Sequence, residues 1–173
     1  MDNGQHPLFY TYMDSPVGAL TLVGDKDALH ILNFPGTSNN ADLKPEWQKD
    51  DAPFAETIKQ LTAYFAGDLR QFDLPLYFSG TDFQNRVWRQ LATIPFGKTR
   101  SYGEMAAELG SPGASRAVGS ANNKNPLAII LPCHRVIGAN GAMVGFGGGL
   151  PTKTFLLTHE AEVIGAPTQL SLF

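Results

Sequence analysis

One cysteine in 173 residues is the first constraint on this chain. No internal disulfide can form, and a thiolate-rich zinc site is excluded because its second sulfur is missing. His6, His30 and His159 lack metal-ligand spacing. No apolar run approaches the roughly 18 residues of a membrane span. Residues 1–6 have neither the basic region nor the apolar stretch of a secretory signal. The pattern GxxxxGK[ST] is absent, so the glycine-rich residues 145–149 do not form a phosphate loop. No metal, no cofactor and no membrane segment are expected. A free thiol suits a reducing compartment, which predicts a cytoplasmic protein.

Charge of one sign is scarce in each half. Residues 1–80 carry 5 Lys+Arg and 11 Asp+Glu, a net −6, whereas residues 81–173 carry 8 and 5, a net +3. The basic half holds the cysteine. The asymmetry permits local phosphate contacts, although +3 is too small to demonstrate them.

The 43% hydrophobic content is ample for a core. Residues 8–13, 19–23 and 28–32 favour strands, and Gly24-Asp25-Lys26-Asp27 supplies turn chemistry, so a small antiparallel sheet is predicted. Residues 35–51 read as a mobile loop. Phe54, Ile58, Leu61, Tyr64 and Phe65 recur at helical spacing up to Gly67. An extended stretch, 69–80, ends at Ser79-Gly80. The domain boundary is expected there, giving units 1–80 and 81–173.

The second unit reads as helical. Thr81 with Gln84, and Ser101 with Glu104, fit capping boxes. Ser111-Pro112 predicts an N-cap and first-turn proline for a helix over 113 to about 123. Two short helices joined through Gly110 match a helix-turn-helix, although a plain helical hairpin shares the pattern. The second of them is built from small residues (Ala114, Ser115, Ala117, Gly119, Ser120, Ala121) around one large polar side chain, Arg116. That composition fits either close approach to another surface or a tightly packed internal helix. Asn140-Gly141 is a hairpin signal. A last helix is expected from near Pro151, with Lys153, Leu156, Leu157 and Glu160, and a poorly ordered tail after Gly165.

The chemistry centres on Cys133, followed at once by His134. A histidine can take a thiol proton directly or through water, and a carboxylate can orient the histidine. Glu160 is a candidate for that carboxylate; spacing alone equally allows a solvated helix residue. Tyr102 and Asn125 read by themselves as an ordinary helix-start tyrosine and a turn residue before proline. Arg135 reads as a surface or salt-bridge residue with no chemistry assigned.

Residues from about 83 to 160 carry Ser101-Tyr102-Gly103, Ser115-Arg116-Ala117-Val118-Gly119, Asn125-Pro126, Pro132-Cys133-His134-Arg135-Val136, Gly148-Gly149-Leu150 and Leu156-Leu157-Thr158-His159-Glu160. In these motifs the chain resembles the O6-alkylguanine-DNA alkyltransferases, also called methylated-DNA–protein-cysteine methyltransferases. The cysteine pentapeptide is the specific part; the first half matches in layout rather than in motif. The resemblance implies an α+β fold. A small antiparallel sheet with a helix, ribonuclease H-like, would precede a winged helix-turn-helix domain carrying the active-site cysteine.

It also implies roles. Cys133 would accept the alkyl group. His134 would act as base through a water, with Glu160 orienting it, and Asn125 would brace the turn that presents the cysteine. Tyr102 would donate to the extruded guanine and crowd the phosphate that must rotate. Arg116 would replace the flipped base from the minor groove of double-stranded DNA, with Ala114, Ser115 and Ala117 against the duplex. The backbone at Cys133 and Val136, with Phe146 and Gly147, would hold the guanine edge. Val144 and Ala128 would lie near the pocket, where a branched Val144 would narrow it.

The implied reaction is displacement at carbon, favoured by an ionised, reachable sulfur. It would take alkyl groups from O6 of guanine, and from O4 of thymine. The product thioether does not hydrolyse, so each monomer would react once. The competing readings are a lesion sensor without transfer chemistry, a helix-turn-helix regulator and a cysteine hydrolase. Cys133 argues against the first, and nothing marks an acyl substrate for the last.

Overall fold

The computed structural model describes residues 6–37 and 43–167. The chain divides into two compact units, Met1–Phe78 and Ser79–Phe173.

In the first unit, strands β1 (Phe9–Met13), β2 (Leu20–Gly24) and β3 (Leu29–Asn33) form an antiparallel meander. Alternation places Leu20 and Leu22 in the core. The turn between β2 and β3 is held by Asp25, whose Oδ1 accepts from the Asp27 and Ala28 amides. A two-residue strand, β4 (Gln48–Lys49), pairs in parallel with β1 and completes the order β3-β2-β1-β4. Part of the segment expected to be a loop is therefore a sheet edge. Its side chains are exposed and its pairing is made by backbone alone, so no periodicity marked it. Residues 38–42 of that expected loop lie outside the described residues.

Helix α1 (Ala55–Phe65) follows a 3-10 turn at Ala52–Phe54 and buries Leu61 and Tyr64. The extended stretch after it meets the sheet where Leu29 donates to the Pro75 carbonyl and accepts from the Tyr77 amide.

The second unit opens with α2 (Asp82–Leu91), and both halves of the Thr81/Gln84 capping box are made. Its face of Val87, Trp88 and Leu91 is buried. Strand β5 (Arg100–Ser101) leads into α3 (Tyr102–Glu108) through the Ser101/Glu104 box, also complete. Gly110, at φ +77°, turns the chain in a conformation costly for a side chain with a Cβ. Helix α4 (Ser115–Asn123) then packs on α2, where the Trp88 indole donates to the Ala121 carbonyl at 2.8 Å.

Helix α4 starts two residues later than expected. Ser111 does not cap it: the Ala114 amide bonds to the Ser111 carbonyl, and the Ser111-Pro112 segment is spent as a turn.

After α4 an irregular buried stretch reaches a 3-10 turn, Cys133–Arg135, and strand β6 (Val136–Ile137), which pairs in parallel with β5. Asn140-Gly141 does turn the chain, with Gly138 donating to the Ala142 carbonyl. No hairpin ladder follows; β6 pairs with β5 instead. Helix α5 (Leu150–Ile164) ends at Gly165. The tail expected to be poorly ordered falls from residue 168 outside the described residues. Among the described residues no helix is long and apolar enough to cross a membrane.

Candidate active site

The loop from α4 to the 3-10 turn is held by one side chain. Asn125 Nδ2 donates to the Leu131 carbonyl at 2.7 Å, and its Oδ1 accepts from the Leu127 amide at 2.9 Å. Within the loop, buried Ile129 sits at φ +70°, a left-handed backbone unfavourable for a β-branched residue. The amide clamp holds that strained bend four residues before Cys133, so Asn125 is more than a routine turn residue.

Cys133 is 5% exposed at the start of the 3-10 turn. Its carbonyl accepts from the Val136 amide and from Asn122 Nδ2 at 3.3 Å. Burial pushes the thiol pKa up, opposed by hydrogen bonding from Asn125 and by the charge of Lys153. The sulfur is nearly closed off from solvent in this conformation. The low-dielectric surroundings favour the neutral thiol.

His134 is fully buried, with Nε2 2.8 Å from Glu160 Oε1. Burial holds its pKa below the usual histidine value, and Glu160 opposes the shift. An ionised carboxylate can only accept, so Nε2 carries the hydrogen and Nδ1 keeps its lone pair. Nδ1 is buried and has no partner among the described residues. That is the configuration of a base.

Glu160 is buried on α5 rather than solvated. Arg135 Nη2 donates to its Oε1 at 2.8 Å and Nε to its Oε2 at 2.9 Å; the Gly97 amide donates to Oε2 at 3.2 Å. Burial would raise the Glu160 pKa, but His134 and Arg135 hold the carboxyl far below the ordinary carboxylate range. Arg135 is a buried salt-bridge residue whose Nη1 also reaches the Ile94 carbonyl at 2.6 Å. Of the two sequence readings of Arg135, the surface one fails.

Lys153 is a component that sequence reasoning left without a role. It is wholly buried, and Nζ donates to the Val136 carbonyl at 2.5 Å and the Val144 carbonyl at 3.2 Å. Burial lowers its pKa to about 8, with Cys133 pulling the other way. Its Nζ stands 5.8 Å from the Phe146 ring and 5.9 Å from the Tyr102 ring. The signal was present in α5: Lys153 and Glu160, seven residues apart, share the buried face with Leu156 and Leu157.

Tyr102, at the start of α3, lies against α4 where Gly119 leaves room; a methyl group there would meet ring carbons at 3.8 Å. Its hydroxyl is loosely held, 3.4 Å from the Val144 carbonyl and 3.5 Å from that of Gly145. Burial raises its pKa, the neighbouring Cys133 adds to the rise, and hydrogen bonding with the Asn122 side chain opposes it.

A hollow of about 290 Å³ opens beside this tyrosine, lined by Ser115, Arg116, Gly119, Asn123, Val144 and Gly145 as well. Arg116 and Ala117 are exposed on α4, while Ala114 and Ser115 are half-buried. Phe146 is half-buried and Gly147 exposed on the adjoining loop; Val136 is buried in β6, and Ala128 is buried in the loop before the cysteine. A second cavity, of about 240 Å³, touches Glu160 but neither Cys133 nor Tyr102. Among the described residues no three His, Cys, Asp or Glu side chains gather as metal ligands would.

Fold and site define a two-unit α+β protein whose helix-turn-helix unit carries a buried thiol, imidazole and carboxylate. Comparison with known proteins matches residues 8–78 to the ribonuclease-like domain of 6-O-methylguanine DNA methyltransferase and residues 82–162 to its DNA-binding domain. The chain belongs to that family. It is 50% identical over 166 residues to the Mycobacterium bovis methylated-DNA–protein-cysteine methyltransferase, covering 96% of this chain and 99% of the relative. The Methanosarcina acetivorans protein of the same name is 48% identical over 155 residues, covering 90% and 99%. A crystal structure of Mycobacterium tuberculosis OGT in complex with DNA superposes with a TM-score of 0.86 at 49% identity, covering 93% of this chain and 96% of that one.

Two of the buried groups bear on the pH response of stability below neutral pH. Glu160 and His134 both have folded pKa values below their unfolded ones, so both bind protons more tightly when unfolded. Their contribution is complete above about 6.5, the unfolded histidine value, and is lost as pH falls through that value and then through about 4.3 for the carboxylate. Thermal melting across pH 8 to 4 is expected to show Tm level at neutral pH and falling steadily below about 6.5. A Tm that rises on acidification would contradict the assignment.

Proposed function

We propose that this protein repairs O6-alkylguanine in double-stranded DNA by moving the alkyl group onto its own Cys133, once per molecule. The observation that carries the reading is the buried pair at the 3-10 turn: a thiol, and next to it an imidazole fixed by Glu160 at 2.8 Å with its other nitrogen unspent.

The steps follow from these groups. His134 Nδ1 takes the Cys133 proton, through a water, and the imidazolium is stabilised by Glu160. The thiolate attacks the alkyl carbon; the C–O6 bond breaks and its electron pair leaves with the purine. Tyr102 donates to the departing base where negative charge grows. Because the resting thiol is neutral, ionisation belongs to the moment of reaction. The thioether product has no easy route back, which makes transfer stoichiometric. O4-alkylthymine presents the same bond and is a second substrate.

The lesion must leave the stack, at a cost of a few kcal/mol that weakened pairing reduces. Arg116, exposed on a helix of small residues beside the hollow, fills the space in the duplex, and α4 enters the minor groove. Asn125 sets the approach of the cysteine loop. The backbone of Val136 and the loop at Phe146 and Gly147 border the purine. The protein acts as a monomer, in the reducing cytoplasm where a free thiol survives.

Incubation with a duplex oligonucleotide carrying O6-methylguanine, followed by intact mass measurement, tests this. The expected result is a gain of one methylene mapped to Cys133, absent in Cys133→Ser. An unmodified wild-type protein, or label released over many turnovers, would overturn it. Arg116→Ala is expected to slow transfer from duplex DNA on the order of ten-fold or more, in keeping with a flipping cost of a few kcal/mol. Transfer from the free modified base should change far less. Equal losses on both substrates would count against base replacement.

A further inference from the structure

Lys153 is a wholly buried cation that meets no anion. Its Nζ donates to the Val136 carbonyl at 2.5 Å and to the Val144 carbonyl at 3.2 Å. The rings of Phe146 and Tyr102 stand 5.8 and 5.9 Å away. Carbonyl dipoles and ring faces can hold an ammonium, but they do not match its charge. Among the described residues no ion pair includes it.

The carboxylate two turns further along α5 is already spent. Glu160 receives His134 Nε2 and Arg135 Nη2, each at 2.8 Å. Arg135 and Glu160 match one another, which leaves one positive charge over, on Lys153. Burying an ion without a counter-ion is costly. An apolar side chain on that face of α5, beside Leu156 and Leu157, would avoid the cost. A position that keeps the lysine therefore calls for an explanation.

The placement of Lys153 names the missing anion. Val136, whose carbonyl it holds, closes the 3-10 turn by donating its amide to the Cys133 carbonyl. Burial lowers the Lys153 pKa, and the charge that opposes this is that of Cys133. Charge on Cys133 also bears on Tyr102, whose ring faces the ammonium. His134 feels Lys153 too: burial, Arg135 and Lys153 work against its protonation, and Glu160 offsets them.

We propose that Lys153 is the counter-ion of the Cys133 thiolate. When His134 takes the thiol proton, Lys153 matches the negative charge on sulfur as Glu160 matches the positive charge on the imidazole. The inference rests on the alkyl-transfer reading above. As the S–C bond forms and the C–O6 bond breaks, the charge leaves with the purine. The neutral thioether then returns Lys153 to its unpaired state.

Two variants separate charge from packing. Lys153→Met removes charge and donors together, whereas Lys153→Gln removes the charge and keeps N–H donors for the two carbonyls. The chain has one cysteine, so alkylation by iodoacetamide from pH 6 to 10, read by mass, titrates Cys133 alone. In both variants the midpoint is expected to move up by about one pH unit or more. Transfer from an O6-methylguanine duplex near pH 7 is expected to slow about three-fold or more. That is less than the loss of thiolate, because the more basic sulfur is the better nucleophile. The gap to wild type should narrow above about 8, where Lys153 of the wild type gives up its own proton. Support through the carbonyls alone would leave the midpoint of Lys153→Gln where it was and slow transfer by one factor at every pH; that result overturns the inference. If Lys153→Met fails to fold, Lys153→Gln alone decides. A wild type that reacts with iodoacetamide but takes nothing from the damaged duplex would instead overturn the parent reading, and this one with it.

Discussion

The site depends on one buried carboxylate. Glu160 receives the His134 imidazole, the Arg135 guanidinium in bidentate fashion and the Gly97 amide. Through it the loop after α2, the 3-10 turn and α5 are joined at a single point. Removing charge from water costs several kcal/mol per ion, and only a partner of good geometry offsets this. Arg135 supplies that partner and in turn donates to the Ile94 carbonyl. Glu160 stays ionised for this reason, and an ionised Glu160 fixes which histidine nitrogen keeps a lone pair. The second buried cation, Lys153, does the same service for the loop ahead of α5 by binding the carbonyls of Val136 and Val144.

This arrangement gives a reagent that is quiet until used. Burial raises the thiol pKa and lowers that of the imidazole, which favours the uncharged form of both groups. A single-use nucleophile that stayed ionised and exposed would be consumed by any passing electrophile. Asn125 and the strained Ile129 bend keep the sulfur in place without ionising it.

Local signals were legible in the sequence, and long-range partners were not. Both capping boxes are formed as written, because a box is closed within four residues. Ser111-Pro112 carried an equally local signal, yet the segment is used as a turn, since its backbone bonds close there before α4 begins. The edge strand at Gln48–Lys49 left no trace because its side chains are solvent-exposed. For Glu160, the candidate sequence partner of His134, spacing could not separate a buried ligand from a solvated one. Arg135 was ambiguous for the same reason: its partners lie 25 and 41 residues away.

The central claim is that Cys133 is a neutral thiol at rest and is alkylated only by the lesion. Since the chain has one cysteine, protein labelled with cysteine carrying carbon-13 at Cβ gives a single resonance to follow. The account predicts a shift characteristic of a thiol through neutral pH and past the ordinary cysteine value of about 8.5, converting to that of a thioether on addition of an O6-methylguanine duplex. A thiolate shift at neutral pH in the free protein, or a resonance that the damaged duplex leaves unmoved, would contradict it.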